Sequence, residues 1–300
     1  MQRRKFLQGT GLSLAMLAMA NNKTLANLLM QPVYKFTLLR NDVGIFTEQG
    51  GTIAWLSNNS GMAVVDTQFV DPATHLIAEL KKISSKPLNY LINTHHHGDH
   101  TGGNLAFKGL AEKVVGHANC LVNHQKTAAA QKSVDKQLFA DTVFQDQWKA
   151  KVGSERIRAH YFGAGHTNGD IIVHFEHANI AHMGDLMFNK RFPFIDRPGG
   201  ANIQSWVNVL DKTIAKFDKD TLFVFGHSAD PLKVTGGKEE IRAMQNYLEK
   251  LLLFVKNEIK AGKSKDDILK AQNIPGAEDF QGQGIQRSLT AAYEELTMGS

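Results

Sequence analysis

Between Asn93 and Asn104 the chain reads NTHHHGDHTGGN, which crowds His95, His96, His97 and His100 around Asp99. Neutral imidazole nitrogens and carboxylate oxygens are the donors that Zn2+ accepts at about 2.0–2.2 Å. Gly98 and Asp99 interrupt the run, and it sits well inside the chain, unlike a terminal polyhistidine tag. In an extended segment His95 and His97 share one side and His96 takes the other. His96 is therefore expected not to be a ligand, while Asp99 continues the odd-numbered series and His100 follows where Gly98 permits a turn. Three later segments bring the same chemistry: YFGAGHTNGD delivers His166, IAHMGDLMF delivers Asp185 and LFVFGHSAD delivers His227. Each follows apolar residues and is flanked by glycine, which lets the backbone turn tightly toward a shared cavity. Five histidines and two aspartates exceed the demand of one tetrahedral ion and suit two.

These residues need strands to carry them. KPLNYLI, just before the first cluster, reads as a buried strand ending at Asn93 or Thr94. Upstream, residues 33–69 alternate apolar runs with turn signals at Gly50-Gly51 and Asn58 to Gly61, which predicts antiparallel hairpins with Phe46 near a hairpin tip. Asp71-Pro72 is expected to cap and start a helix running to about Lys82. Residues 104–151 read as mostly helical or irregular. Strand texture returns from Arg156 in RIRAHYF, IIVHF, NIAHM and TLFVF, with a helix over 203–217. Strands with helices outside make an α/β protein, and active sites of such sheets form where strands end. From Gly237 the apolar spacing predicts a long helix stopped at Gly262 and a last helix ending near Met298. The expected organisation is thus a signal peptide at 1–20, a linker at 21–32, a domain at 33–236 and packed C-terminal helices at 237–300.

The formal charge is +5, but Arg3, Arg4 and Lys5 account for three of those charges, leaving about +2 on the body. So even a balance argues against a nucleic-acid partner, which needs clustered basic surface. Cys120 is the one cysteine, so no disulfide forms within the chain. MQRRKFLQGTGLSLAMLAMA has a basic start, an apolar middle and a small-residue Ala18-Met19-Ala20 end, as signal peptidases read. Its apolar stretch is shorter than the roughly 20 residues needed to span a bilayer, so no stable membrane anchor is expected after cleavage. RRKFL resembles the twin-arginine export signal. That resemblance implies the twin-arginine translocase as a partner during export and a bacterial periplasmic destination.

The order HHHGDH, GHT, GD, GHS over roughly Val33 to Ala229 resembles the metallo-β-lactamase-fold hydrolases. The resemblance implies a four-layer αββα sandwich with a C-terminal helical extension. It implies one metal on His95, His97 and His166, a second on Asp99, His100 and His227, and Asp185 bridging. Two zinc ions per chain are expected, with iron or manganese as alternatives. The bridging aspartate is similar to the glyoxalase II-like and lactonase-like branches. β-Lactamases with a cysteine ligand place it between the third and last histidine, whereas Cys120 precedes His166. The implied activity is hydrolysis of an ester, thioester or lactone in a small-molecule substrate by hydroxide generated on zinc, with Asp99 orienting it and relaying its proton. β-Lactam hydrolysis is the alternative reading, and a mononuclear iron oxygenase of the persulfide type is a further one. FNKRFPFIDRPGG follows Asp185, and its Lys190, Arg191, Phe192 and Phe194, with Phe46, are expected to seat an acyl group bearing a carboxylate.

Overall fold

A computed structural model describes residues 34–298. The expected signal peptide and linker lie outside the described residues. Two sheets carry the site. The first contains β1 (Lys35–Arg40), β2 (Val43–Thr47), β3 (Ile53–Asn58), β4 (Gly61–Val65), β5 (Leu88–Ile92), β6 (Ala111–His117) and β7 (Thr142–Phe144), adjacent in that order. β2 to β4 form the expected antiparallel hairpins. β4 to β7 then run parallel, which demands crossovers. Helices α1 (Val70–Ile83), α2 (Gly98–Thr101) and α3 (Ala118–Ala130) lie in those connections.

The second sheet takes β8 (Gln147–Val152), β9 (Glu155–His160), β10 (Ile172–Phe175), β11 (Ile180–His182), β13 (Leu222–Val224) and β15 (Thr235–Gly236), while β12 (Phe188–Asn189) and β14 (His227–Ser228) form a separate parallel pair. One apolar layer packs Val43, Ala54, Leu56, Val65 and Ile92 of the first sheet against Ile157, Ala159, Val173, Phe175 and Val224 of the second. The other covers the far side of the second sheet with α4 (Ile203–Lys216), α5 (Lys238–Lys260), the short α6 (Lys265–Ile268) and α7 (Ile285–Met298), centred on Trp206, Tyr247, Leu248 and Leu289. Layers of helix, sheet, sheet and helix follow from strands that are apolar on both faces.

Three sequence expectations need correction. Residues 104–151 hold β6, β7 and the start of β8 as well as α3, because β6 and β8 carry charged residues among their apolar ones and β7 is only three residues long, which weakens the apolar signal. α1 begins before Asp71: Phe69 occupies the capping position with no side-chain cap, and Asp71 and Pro72 fall inside the first turn. Phe46 lies within β2 and is fully buried, so it packs the interior between strands instead of standing at a hairpin tip.

Candidate metal centre

Every proposed ligand sits where a strand or its continuation ends. His95, His97, Asp99 and His100 follow β5, with α2 starting at Gly98. His166 follows β9 through a turn at Gly163, whose φ of 135° suits glycine. Asp185 follows β11, and His227 opens β14 beyond β13.

The proposed ligands fall into two groups of donors, beside a third group made by His96, His97 and Asp196. The ligand atoms of His95, His97, His166 and Asp185 lie within 4.8 Å of one another, as do those of Asp99, His100 and His227. Asp185 joins the groups: its Oδ2 is 3.5 Å from His166 Nε2 and 3.4 Å from His227 Nε2, and its Oδ1 is 3.0 Å from His100 Nε2. Asp99 Oδ2 stands 3.1 Å from His227 Nε2.

The outward nitrogens explain why the inward ones are free. His97 Nε2 donates to Asp196 Oδ2 at 2.9 Å, His100 Nδ1 to Asp66 Oδ2 at 2.8 Å, and His166 Nδ1 to the Phe194 carbonyl at 2.6 Å. His95 Nδ1 meets the Thr94 hydroxyl at 3.0 Å, and that hydroxyl donates to Asp66 Oδ2. With the outward nitrogen protonated, each ring turns a lone pair inward, the arrangement that orients histidine toward a metal. His97 Nδ1 and His166 Nε2 then face each other at 2.8 Å. Two facing lone pairs repel, and a cation between them relieves the repulsion. His95 Nε2 is buried without a hydrogen-bond partner among the described residues, and His100 Nε2 and Asp185 Oδ1, buried with it, have only each other at 3.0 Å. Such orphans are costly unless an ion completes them. Imidazoles and carboxylates, orphaned and convergent, fit a divalent transition metal.

Charge divides the histidines into two kinds. Burial disfavours an ionised Asp185, yet His227, His100 and His95 hold its carboxyl well below the usual range. Burial opposes a cationic His227, but Asp185 and Asp99 lift it to about 9. Burial also opposes protonation of His100, and Asp185, Asp66 and Asp99 overcome it. His95 and His166 go the other way, as burial pushes His95 well down and His166 to about 4. His95 and His166 are thus neutral beside an ionised Asp185, as metal binding requires, whereas His100 and His227 hold protons that a bound cation would have to displace.

Other residues were less legible. His96 is 5% exposed and stays out of both groups joined by Asp185, lying 3.5 Å from Asp196 instead. His182 is buried, donating to the Thr52 carbonyl and accepting from Gly184 N–H. Asp66 and Asp196 belong to no histidine motif, although Asp66 follows β4 directly, as the ligands follow their strands, and that placement is its signal in the sequence. Cys120 is buried, its thiol pushed up by burial, and it belongs to neither donor group.

The expected substrate wall divides. Phe194 is 41% exposed, with its ring 5.4 Å from that of His97 and 5.9 Å from that of His166. Phe192 packs inward against Tyr247, Lys190 pairs with Asp279 beside Phe280, and Arg191 bridges to Gln281. These three side chains and backbones meet the C-terminal part of the chain, a contact that the linear sequence does not show. Phe69, 38% exposed, lies beside Gly50, which also approaches Asp99.

Residues 50–227 match the metallo-beta-lactamase superfamily, and the chain belongs to that family. It is 25% identical over 174 residues to the metallo-beta-lactamase type 2 of Bacillus cereus, covering 57% of this chain and 64% of that relative. A hydroxyacylglutathione hydrolase from Crocosphaera subtropica is 29% identical over 130 residues, 43% of this chain and 44% of that relative. The chain thus matches less than two thirds of the length of either. The metallo-beta-lactamase of Pontibacter korlensis superposes with a TM-score of 0.61 at 19% identity, over 72% of this chain and 99% of that one, a likeness of fold.

Proposed function

We propose that this superfamily member is an exported, dinuclear zinc hydrolase that cleaves an ester, thioester or lactone of a small molecule. The observation that carries the reading is Asp185, whose two oxygens reach both donor groups. His95, His97 and His166 would hold one ion, and Asp99, His100 and His227 the other. Bound zinc supplies acidified water and a Lewis acid for the carbonyl at neutral pH.

The protein's own residues do the rest. Asp99 is 32% exposed in its side chain and faces His227, so its carboxylate can take a proton from attacking water and return it to the leaving group. Phe188 stacks on His227 with centroids 5.2 Å apart, and Phe194 flanks His97, so apolar walls shield the reacting carbonyl from bulk water. The hydroxyacylglutathione hydrolase likeness supports this reading. β-Lactam cleavage is the second reading, favoured by the Bacillus cereus likeness, and Cys120 offers it no ligand.

A panel of lactones, thioesters, esters and β-lactams, run with metal content measured on the same sample, tests the proposal. Two zinc ions per chain and turnover of simple esters or lactones are expected. Asp185→Asn should lower turnover at least about 100-fold and deplete both ions. One metal with full activity, iron in place of zinc, or strong β-lactam turnover with weak ester turnover would overturn it. For export, Arg3→Lys with Arg4→Lys should strand the precursor in the bacterial cytoplasm, whereas unchanged periplasmic accumulation sinks the twin-arginine route.

A further inference from the structure

The C-terminal extension reaches the mouth of the metal centre. Gln281 clasps the 188–200 loop, accepting from Phe192 N–H and donating to the Lys190 carbonyl, and the Ser288 hydroxyl donates to the Pro193 carbonyl. Those bonds bring the first turn of α7 beside Phe194. There the Arg287 guanidinium lies 6.0 Å from the centre of the Phe194 ring. Arg156, Arg158, Arg197 and Arg242 each pair with a carboxylate, but among the described residues no carboxylate pairs with exposed Arg287. The first turn of α7 also holds no acid. An available guanidinium is thus stationed one aromatic ring away from His97. Lys190, already paired with Asp279, is not available for that role.

We propose that Arg287 and Phe194 form a specificity subsite that seats a substrate whose non-reacting end is a carboxylate on an apolar stem. This rests on the hydrolase reading above. Phe194 takes the stem, since its ring is half exposed and continuous with the rings of the metal centre. Arg287 takes the carboxylate, because a planar guanidinium matches a carboxylate with two parallel hydrogen bonds and stays charged at any working pH. Its position over an aromatic ring keeps the side chain oriented without consuming its donors. Neither residue touches the scissile bond, so both act on binding and not on the chemical step.

The test uses the full chain and para-nitrophenyl hydrogen adipate beside its terminal primary amide, which share a scissile ester and differ in end charge. Arg287→Gln should raise KM for the acid about three- to tenfold and leave kcat within about twofold, since exposed pairs contribute modestly. The amide should be unaffected, and Arg287→Lys should fall between. Equal changes for acid and amide, or none for the acid, would overturn the subsite. Calorimetric titration with the non-hydrolysable ketone analogue of the acid separates the two readings. If neither ester turns over, hydrolysis of this class fails; weaker binding of the ketone acid to Arg287→Gln then upholds the subsite, and unchanged binding rejects it.

Discussion

Asp66 shows how far a single side chain outside the ligand set governs the centre. It is fully buried, adopts φ 64°, and accepts from Thr94 N–H, the Thr94 hydroxyl and His100 Nδ1. One carboxylate therefore orients two histidine rings at once, His100 directly and His95 through Thr94. Asn tolerates the same backbone conformation, so Asp66→Asn removes charge and an acceptor without backbone strain. Metal affinity should fall about 10- to 100-fold, read by competition with a chelator, while far-UV circular dichroism stays unchanged. An unaltered affinity would show that His100 keeps its orientation without this partner.

Glycines and strands set the spacing at the next scale. A Cβ on Gly51, in the loop between β2 and β3, would stand 2.1 Å from the His100 ring, and one on Gly226 would stand 2.1 Å from Asp185 Oδ1. The backbone approaches the ligands this closely because no side chain intervenes. β9 carries a different kind of sensitivity. His160 is nearly buried between Phe162 and Phe217, and burial lowers its pKa to about 4. Its folded-state value lies below the unfolded value near 6.5, so its neutral form supports the fold above that pH and the support is lost as pH falls from about 6.5 to about 4. The loss is about 1–3 kcal/mol, its upper end being close to the full shift. Urea midpoints at pH 7, 5.5 and 4 should decline accordingly, and His160→Phe should flatten that decline. A variant with the same pH profile as the parent would remove His160 as the cause.

At the scale of the whole molecule, α7 closes the construction. Glu295 accepts from Ile203 N–H and Gln204 N–H at the start of α4 and pairs with Arg197, which belongs to the same loop as Asp196 and Phe194. A carboxylate from the last helix thus caps an earlier one and braces the loop that orients His97 and His166. Glu295→Ala should cost about 1–3 kcal/mol in chemical denaturation and weaken metal retention, with Glu295→Gln retaining part of both. Loss of stability without loss of metal would separate the brace from the centre. The linear sequence determined the layered α/β class and the convergence of His95, His97, Asp99, His100, His166, Asp185 and His227, because strand ends, parity and flanking glycines are local properties. The tertiary structure alone decided what surrounds them. Lys190 and Arg191 turned to the C-terminal segment, Phe46 went into the core, Asp66 and Asp196 came to the ligands, and Arg287 came to Phe194, all from segments far apart in the chain. Partners of that kind are chosen by packing between layers, and no local pattern of residues encodes which distant segment a side chain will meet.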